Sequence, residues 1–181
     1  MQRIYLVKPI DRDQLLNAIA RVAGRKREQK ETDRAQVVAF LGAKGGCGVT
    51  TLATQMGALL ASSHSCRTLL VDFHPDVGDA ALYLRHTNFR CHSFELVENE
   101  HRLDADLLQS FVLRYGSGLE VIPGADGSQP ARRVAAGAIT RTLEFLRLRY
   151  EFVILDLPPG LGTENLEILR ACDQLYLVTV A

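Results

Sequence analysis

Glycines at 45, 46 and 48, a lysine at 44 and threonines at 50 and 51 crowd into one short stretch, after the apolar run Val37-Val-Ala-Phe-Leu41 and before an amphipathic segment. Glycine lets a backbone turn tightly and aim consecutive N–H groups inward, and a helix starting near Thr50 adds the positive end of its dipole. Such a stretch attracts a polyphosphate. Two carboxylates could act with it: Asp72 closes Thr68-Leu-Leu-Val, and Asp156 closes Phe152-Val-Ile-Leu. Short β-rich runs without alternation suit strands of a parallel sheet buried on both faces, and ligands of such sheets sit beyond the strands' carboxyl ends. Both aspartates are therefore expected to face the phosphates. The same residues also fit blander roles, the glycines as a turn without a ligand and the aspartates as helix caps or turn residues.

Set against the phosphate-loop pattern G-x-x-x-x-G-K-[ST], Gly48 and Thr50 stand in place, but Ala43 replaces the leading glycine and Val49 stands where the lysine belongs. That lysine makes a charge-assisted contact of the kind worth about 1.5–3 kcal/mol. Lys44, at the second position of the loop, is the cation that remains.

The elements that must position these groups alternate along the chain. The pattern predicts a helix from about Thr50 to Ser62, a strand to Asp72, helical stretches at Asp79 to Leu84 and Ala105 to Arg114, and a strand at Leu119 to Ile122. A longer helix follows through Ile139, Leu143, Leu146 and Tyr150, then the strand to Asp156, a helix near Glu164 to Arg170 and a last strand from Asp173. The expected fold class is α/β: a mostly parallel twisted sheet with helices on both faces, in three layers. The last strand is expected to leave an apolar, unpaired edge. Equal numbers of basic and acidic residues, 21 each among 181, with 47% hydrophobic content, predict one main core and no disorder.

Lys44-Gly-Gly-Cys-Gly-Val-Thr-Thr51 resembles the deviant Walker A motif of the MinD/ParA superfamily. The resemblance implies that Ala43, Lys44, Gly45, Gly46, Cys47, Gly48, Val49, Thr50 and Thr51 hold ATP, with Lys44 reaching across a homodimer to the partner's nucleotide. It implies that Asp156 is the Walker B acid, holding Mg²⁺ through water, that Thr50 gives the same ion its hydroxyl, and that Asp156-Leu-Pro-Pro-Gly160 is the second switch. Lys44, Asp72 and Asp156 are the residues expected to serve catalysis. Many members carry Asp-x-Asp after the earlier strand; here Asp72-Phe-His74 puts an imidazole at the second place, with Asp76 and Asp79 near in sequence. With Val49 and His74 both departing, ATP is expected to be bound and hydrolysed slowly or not at all.

Loss of the loop lysine with the early basic residue kept is characteristic of the CpaE/TadZ group of pilus-assembly ATPase-like proteins. Val71-Asp-Phe-His-Pro-Asp-Val-Gly-Asp-Ala-Ala-Leu82, Arg102-Leu-Asp-Ala-Asp-Leu-Leu108, Gly118-Leu-Glu-Val-Ile122 and Tyr150-Glu-Phe-Val-Ile-Leu-Asp156 resemble it as well. Upstream, Ile4-Tyr-Leu-Val-Lys-Pro-Ile-Asp11 and the apolar face Leu15, Leu16, Ile19, Val22 and Ala23 are similar to the last βα unit of a receiver domain. The expected organisation is that unit at 1–24, a charged linker at 25–35 and a partial P-loop NTPase domain at 36–181, shortened at its C-terminal end. The implied partners are a second copy bridged by nucleotide and pilus or secretion assembly proteins, with membrane contact only indirect. Interleaved charges at 24–34 cancel any field that would draw nucleic acid. An active ParA-like or MinD-like ATPase cycling on DNA or membrane is the alternative.

The four cysteines show no paired spacing, and no signal peptide or transmembrane run is present, so the expected location is the cytoplasm, with recruitment to a cell pole or to the inner face of the membrane. His86, Cys91 and His92 form a loose metal-like cluster without a fourth ligand. The iron–sulfur carriers of the superfamily place a cysteine shortly after the second switch; Leu157 to Glu167 contains none.

Overall fold

The computed structural model describes residues 2–8, 13, 17, 34–64, 66–85, 89, 91–116, 118–128 and 134–180. Among the described residues seven strands form one sheet: β1 (Gln2–Lys8), β2 (Gln36–Gly42), β3 (Thr68–Asp72), β4 (Leu113–Arg114), β5 (Glu120–Ile122), β6 (Phe152–Leu157) and β7 (Gln174–Val180). Their order is β1-β7-β2-β6-β3-β5-β4, and every neighbouring pair is parallel except β4 with β5. The α-helices with described bounds are α1 (Val49–His64), α2 (Ala80–Tyr83), α3 (Ser93–Glu98), α4 (Ala105–Phe111), α5 (Ala138–Arg147) and α6 (Thr163–Ala171).

The central strands lack polar alternation because both of their faces are covered. From β2, Val37, Ala39 and Leu41 enter one core with Leu69, Val71, Val153 and Leu155, under Ile139, Leu143 and Leu146 of α5. Val38 and Phe40 enter the other with Leu70, Phe152 and Ile154, under Met56 and Leu60 of α1. The alternation of side chains along a strand thus feeds two apolar layers, each fully buried aliphatic chain contributing about 1.5–3 kcal/mol. Phe40 stacks on Tyr176 of β7 with ring centroids 5.0 Å apart.

The start of β2 is held by a clasp around a buried arginine, its carboxylate partner half-exposed. The guanidinium of Arg147, at the end of α5, donates to the carbonyls of Ala35 and Ala171 and to the Asp173 carboxylate, each at 2.7 Å. That carboxylate also accepts from the Val37 amide at 2.7 Å.

Three features differ from the sequence expectation. The helix predicted to reach Arg114 ends at Phe111, because Leu113 and Arg114 leave it to pair with Val121 and Glu120 across a turn that Gly118 closes at φ +86°. Helix α3 was not expected; at six residues it is too short to show an apolar period. Strand β7 is not an unpaired edge: it lies between β2 and β1, Gln174–Val180 running in parallel register with Gln2–Lys8. In the helix expected after β1, Asp13 and Asn17 are helical and exposed, and its remaining positions, like most of 25–35, lie outside the described residues.

Candidate functional site

Strand β2 delivers the glycine-rich loop to the carboxyl edge of the sheet. Gly42 ends the strand beneath it: a Cβ there would lie 2.7 Å from Cys47 Sγ and 2.9 Å from both the Lys44 carbonyl and a Val49 methyl. The loop therefore folds back over the strand end, anchored by the Ala43 amide donating to the Val178 carbonyl at 2.9 Å. Gly46 and Gly48 take φ +73° and +87°, a region that favours glycine. The Cys47 thiol is buried and donates to the Lys44 carbonyl at 3.0 Å, so it fastens the loop from inside.

Ala43, Lys44, Gly45 and Gly46 are exposed, and a Cβ at Gly45 or Gly46 would meet nothing within 4 Å. Helix α1 starts at Val49 with no acidic residue in its first turn, so nothing on its own first turn neutralises its positive end. Thr50 and Thr51 lie half-buried in that turn, and the Thr51 hydroxyl donates to Tyr83 Oη at 2.9 Å. The arrangement offers backbone donors, a helix dipole and one cation, Lys44, to an anion.

The two aspartates are brought together by register: Asp72 and Asp156 pair directly across β3 and β6, both fully buried. Asp72 is enclosed. Its Oδ1 accepts from the His74 amide at 2.9 Å and meets His74 Nδ1 at 2.7 Å, while its Oδ2 accepts from the Ala80 amide at 3.1 Å. Cβ atoms at Gly78 and Gly124 would come within 2.5 and 2.8 Å of its carboxylate, so only glycines fit there. The Ser93 hydroxyl donates to the Asp72 carbonyl at 2.6 Å and ties α3 to the end of β3.

Asp156 has the opposite environment. Neither of its buried carboxylate oxygens makes a hydrogen bond of full geometry, although the Thr50 hydroxyl lies near enough to act on the group as a weak donor. Burial, then the Asp72 charge, pushes its pKa from 3.8 to about 7, against the pull of the nearby Thr50 hydroxyl and His74. Burial acts to lower the His74 pKa, but the hydrogen bond to Asp72 and the charges of Asp72, Asp156 and Asp79 outweigh it and leave it raised. An uncompensated buried carboxylate is costly, and such groups concentrate at functional sites. With the Thr50 hydroxyl beside them, the Asp156 oxygens fit the oxygen donors that a hydrated divalent cation requires.

The turn after β6 is pinned from α6: buried Asn165 donates from Nδ2 to the carbonyls of Pro158 and Gly160, both at 2.9 Å. A cleft of about 690 Å³ opens between this turn and the loop after β3, lined by His74, Pro75, Pro158, Pro159 and Asn165 among others. Asp76 and Asp79 are exposed; Asp79 acts on His74 and Asp156 through its charge. Among the described residues the one group of three or more potential metal ligands is Asp72, His74 and Asp156. His86 of the looser His86/Cys91/His92 cluster lies outside the described residues. Sequence reasoning missed Ser93, Gly78, Gly124 and Asn165. The two glycines sit beside turn residues that could have flagged a close approach; Ser93 and Asn165 act only through tertiary contacts.

Comparison with known proteins gives the same picture. The profile of the AAA_31 family, described as an AAA domain, matches residues 35–181. A chromosome partitioning protein ParA of Myxococcus xanthus is 31% identical over 150 residues, covering 78% of this chain and 51% of its own length. The chain spans about half the length of the curated relatives it matches. A ParA family ATPase from Chlorobium tepidum superposes with TM-score 0.67 at 22% identity, over 81% of this chain and 60% of that one. The septum site-determining protein MinD of Pyrococcus horikoshii, complexed with Mg-ADP, gives 0.65 at 17%, over 80% and 57%. These two likenesses show the fold. The chain belongs to the AAA_31 family, within the MinD/ParA superfamily of P-loop ATPases.

Proposed function

We propose, on the premise of that family, that the chain binds ATP with Mg²⁺ at Ala43–Thr51 and works as a nucleotide-gated dimerising scaffold. The observation that carries the reading is the open loop, with glycines 46 and 48 at positive φ, standing at the sheet edge that also presents Asp156 with two unpartnered buried oxygens. Loop amides and the start of α1 grip the phosphates, Thr50 and Asp156 take the cation, and Lys44 of each copy reaches the other's nucleotide. Exposed Val77, Leu82, Tyr83 and Leu161, on the segments following β3 and β6, give the face that a second copy covers. That the Pyrococcus MinD structure is a complex with Mg-ADP supports the ligand.

Within the superfamily the reading is of the CpaE/TadZ kind: weak or absent hydrolysis, and localisation of pilus or secretion assembly partners at a cell pole from the cytoplasm. Val49 supports it, because its methyl packs toward Gly42 where a lysine would extend to the phosphates. His74 supports it as well, because it stands bonded to Asp72 where a second carboxylate would orient water. A second reading, an active ATPase cycling on DNA or membrane, draws support from the chromosome partitioning relative. No described helix is long and apolar enough to cross a membrane.

Calorimetric titration with ATP and Mg²⁺, beside sedimentation, tests the proposal. Saturable binding with a doubling of mass is expected, and Lys44→Ala should remove the doubling while ATP still binds. No binding at millimolar ATP overturns it. Turnover in the ~1–100 s⁻¹ range of working phosphoryl-transfer enzymes, stimulated by DNA or vesicles, favours the second reading instead.

A further inference from the structure

We infer that Asp72, His74 and Asp156 form a direct coordination site for a divalent ion that accepts nitrogen, of the Zn²⁺ or Mn²⁺ class rather than Mg²⁺. The inference concerns the nucleotide-free chain and goes beyond the nucleotide-site reading, with which it shares Asp156: in that reading the carboxylate holds Mg²⁺ through water, and here it binds an ion directly. One ligand atom from each of the three residues lies within 4.8 Å of the other two. His74 Nδ1 faces both carboxylates, 2.7 Å from Asp72 Oδ1 and 4.0 Å from Asp156 Oδ2. An ion at that point takes the place of the proton that Nδ1 and Asp72 share.

The second observation is Asp156 itself, whose two buried oxygens make no hydrogen bond of full geometry, with Oδ2 4.0 Å from His74 Nδ1. Asp72 keeps its geometry through the His74 and Ala80 amides, which leave carboxylate lone pairs for an ion. The backbone thus orients one ligand already. The donor set is two carboxylate oxygens and one imidazole nitrogen. Mg²⁺ demands hard oxygen ligands and gives up water reluctantly, whereas imidazole with carboxylate suits the first-row transition ions, Zn²⁺ binding more tightly than Mn²⁺. His74 is partly exposed, with side-chain accessibility 23%, and gives the ion its entry from the cleft beside Pro75.

The test is metal titration of the 181-residue chain without nucleotide, by calorimetry and by metal analysis after gel filtration. One Zn²⁺ per chain is expected, bound at least 100-fold more tightly than Mg²⁺. His74→Asp should weaken Zn²⁺ at least tenfold and narrow the preference over Mg²⁺, Asp156→Asn should abolish the site, and Cys91→Ser should leave it intact. Should His74→Asp fail to fold, Mn²⁺ added to the unaltered chain should broaden the His74 ring-proton resonances selectively. Zn²⁺ binding that survives His74→Asp or disappears with Cys91→Ser, or Mn²⁺ that leaves the His74 ring signals sharp, overturns the inference. ATP titrations on the same samples are scored separately: loss of ATP binding with the metal site present sinks the nucleotide reading alone, and the converse sinks this one alone.

Discussion

Asp156→Asn should make the ligand-free chain more stable at alkaline pH while removing the proposed cation site. Burial and the Asp72 charge raise the Asp156 pKa from 3.8 to about 7, so the folded chain holds a proton that the unfolded chain releases. A carboxylate displaced in this direction contributes nothing below pH 3.8. Its penalty grows as pH rises from there and is complete above about pH 7. At about 1.4 kcal/mol for each tenfold change in proton affinity, the full penalty is of order 4 kcal/mol. His74 loses one of its favourable anions in the variant, and its raised pKa contributes stability below about pH 6.5 that fades as pH rises. Because the His74 contribution fades as pH rises, the net gain should be largest at pH 8, about 3–4 kcal/mol, and should vanish or reverse near pH 5. Thermal melting of both proteins from pH 5 to 9, with EDTA, measures it; for a domain of this size the gain corresponds to roughly 6–16 °C. A variant that melts at or below the parent at pH 8 would show that the unpartnered carboxylate imposes no strain, and the argument for a cation there would fall with it.

Val49→Lys should raise ATP affinity about 10- to 150-fold in calorimetry, the equivalent of a charge-assisted contact of about 1.5–3 kcal/mol. Gly78→Ala should destabilise the fold by about 2–4 kcal/mol in urea denaturation, because the added Cβ would lie 2.5 Å from Asp72 Oδ2 and 2.6 Å from Gly124 Cα. Gly45→Ala meets nothing within 4 Å, so it should leave stability within about 1 kcal/mol and lower ATP affinity instead. Asn165→Ala removes both side-chain bonds to the Pro158 and Gly160 carbonyls and should cost about 1–3 kcal/mol, with hydrogen exchange accelerating in that turn first.

Much of the sheet was legible because buried parallel strands announce themselves as unbroken apolar runs. Thr68–Asp72 matches its expected span, and Phe152–Leu157 extends its own by one residue. The loop was legible for a related reason, since glycines at positive φ cannot be replaced without strain. Helix α3 escaped because six residues hold fewer than two turns. The surroundings of Asp72 escaped because Gly78, Ser93 and Gly124 come from three separate segments and meet only in the folded chain. His74 could be recognised from sequence as a departure from a carboxylate pattern. That its ring nitrogen would face both acids required the register of β3 with β6. The pairing of β7 with β1 lay beyond any local pattern, because a sheet's neighbours are chosen by surface area and hydrogen bonds distant in sequence.

The Arg147–Asp173 clasp grips β2 at the end farthest from the loop, seven residues or roughly 23 Å away along an extended chain. A slip of one residue would exchange the two faces of β2 and carry the glycines about 3.3 Å out of line with Asp156. The alignment of the glycine-rich loop is thus governed from the opposite rim of the molecule. Lesions at Arg147 or Asp173 should impair ligand capture without touching any ligand.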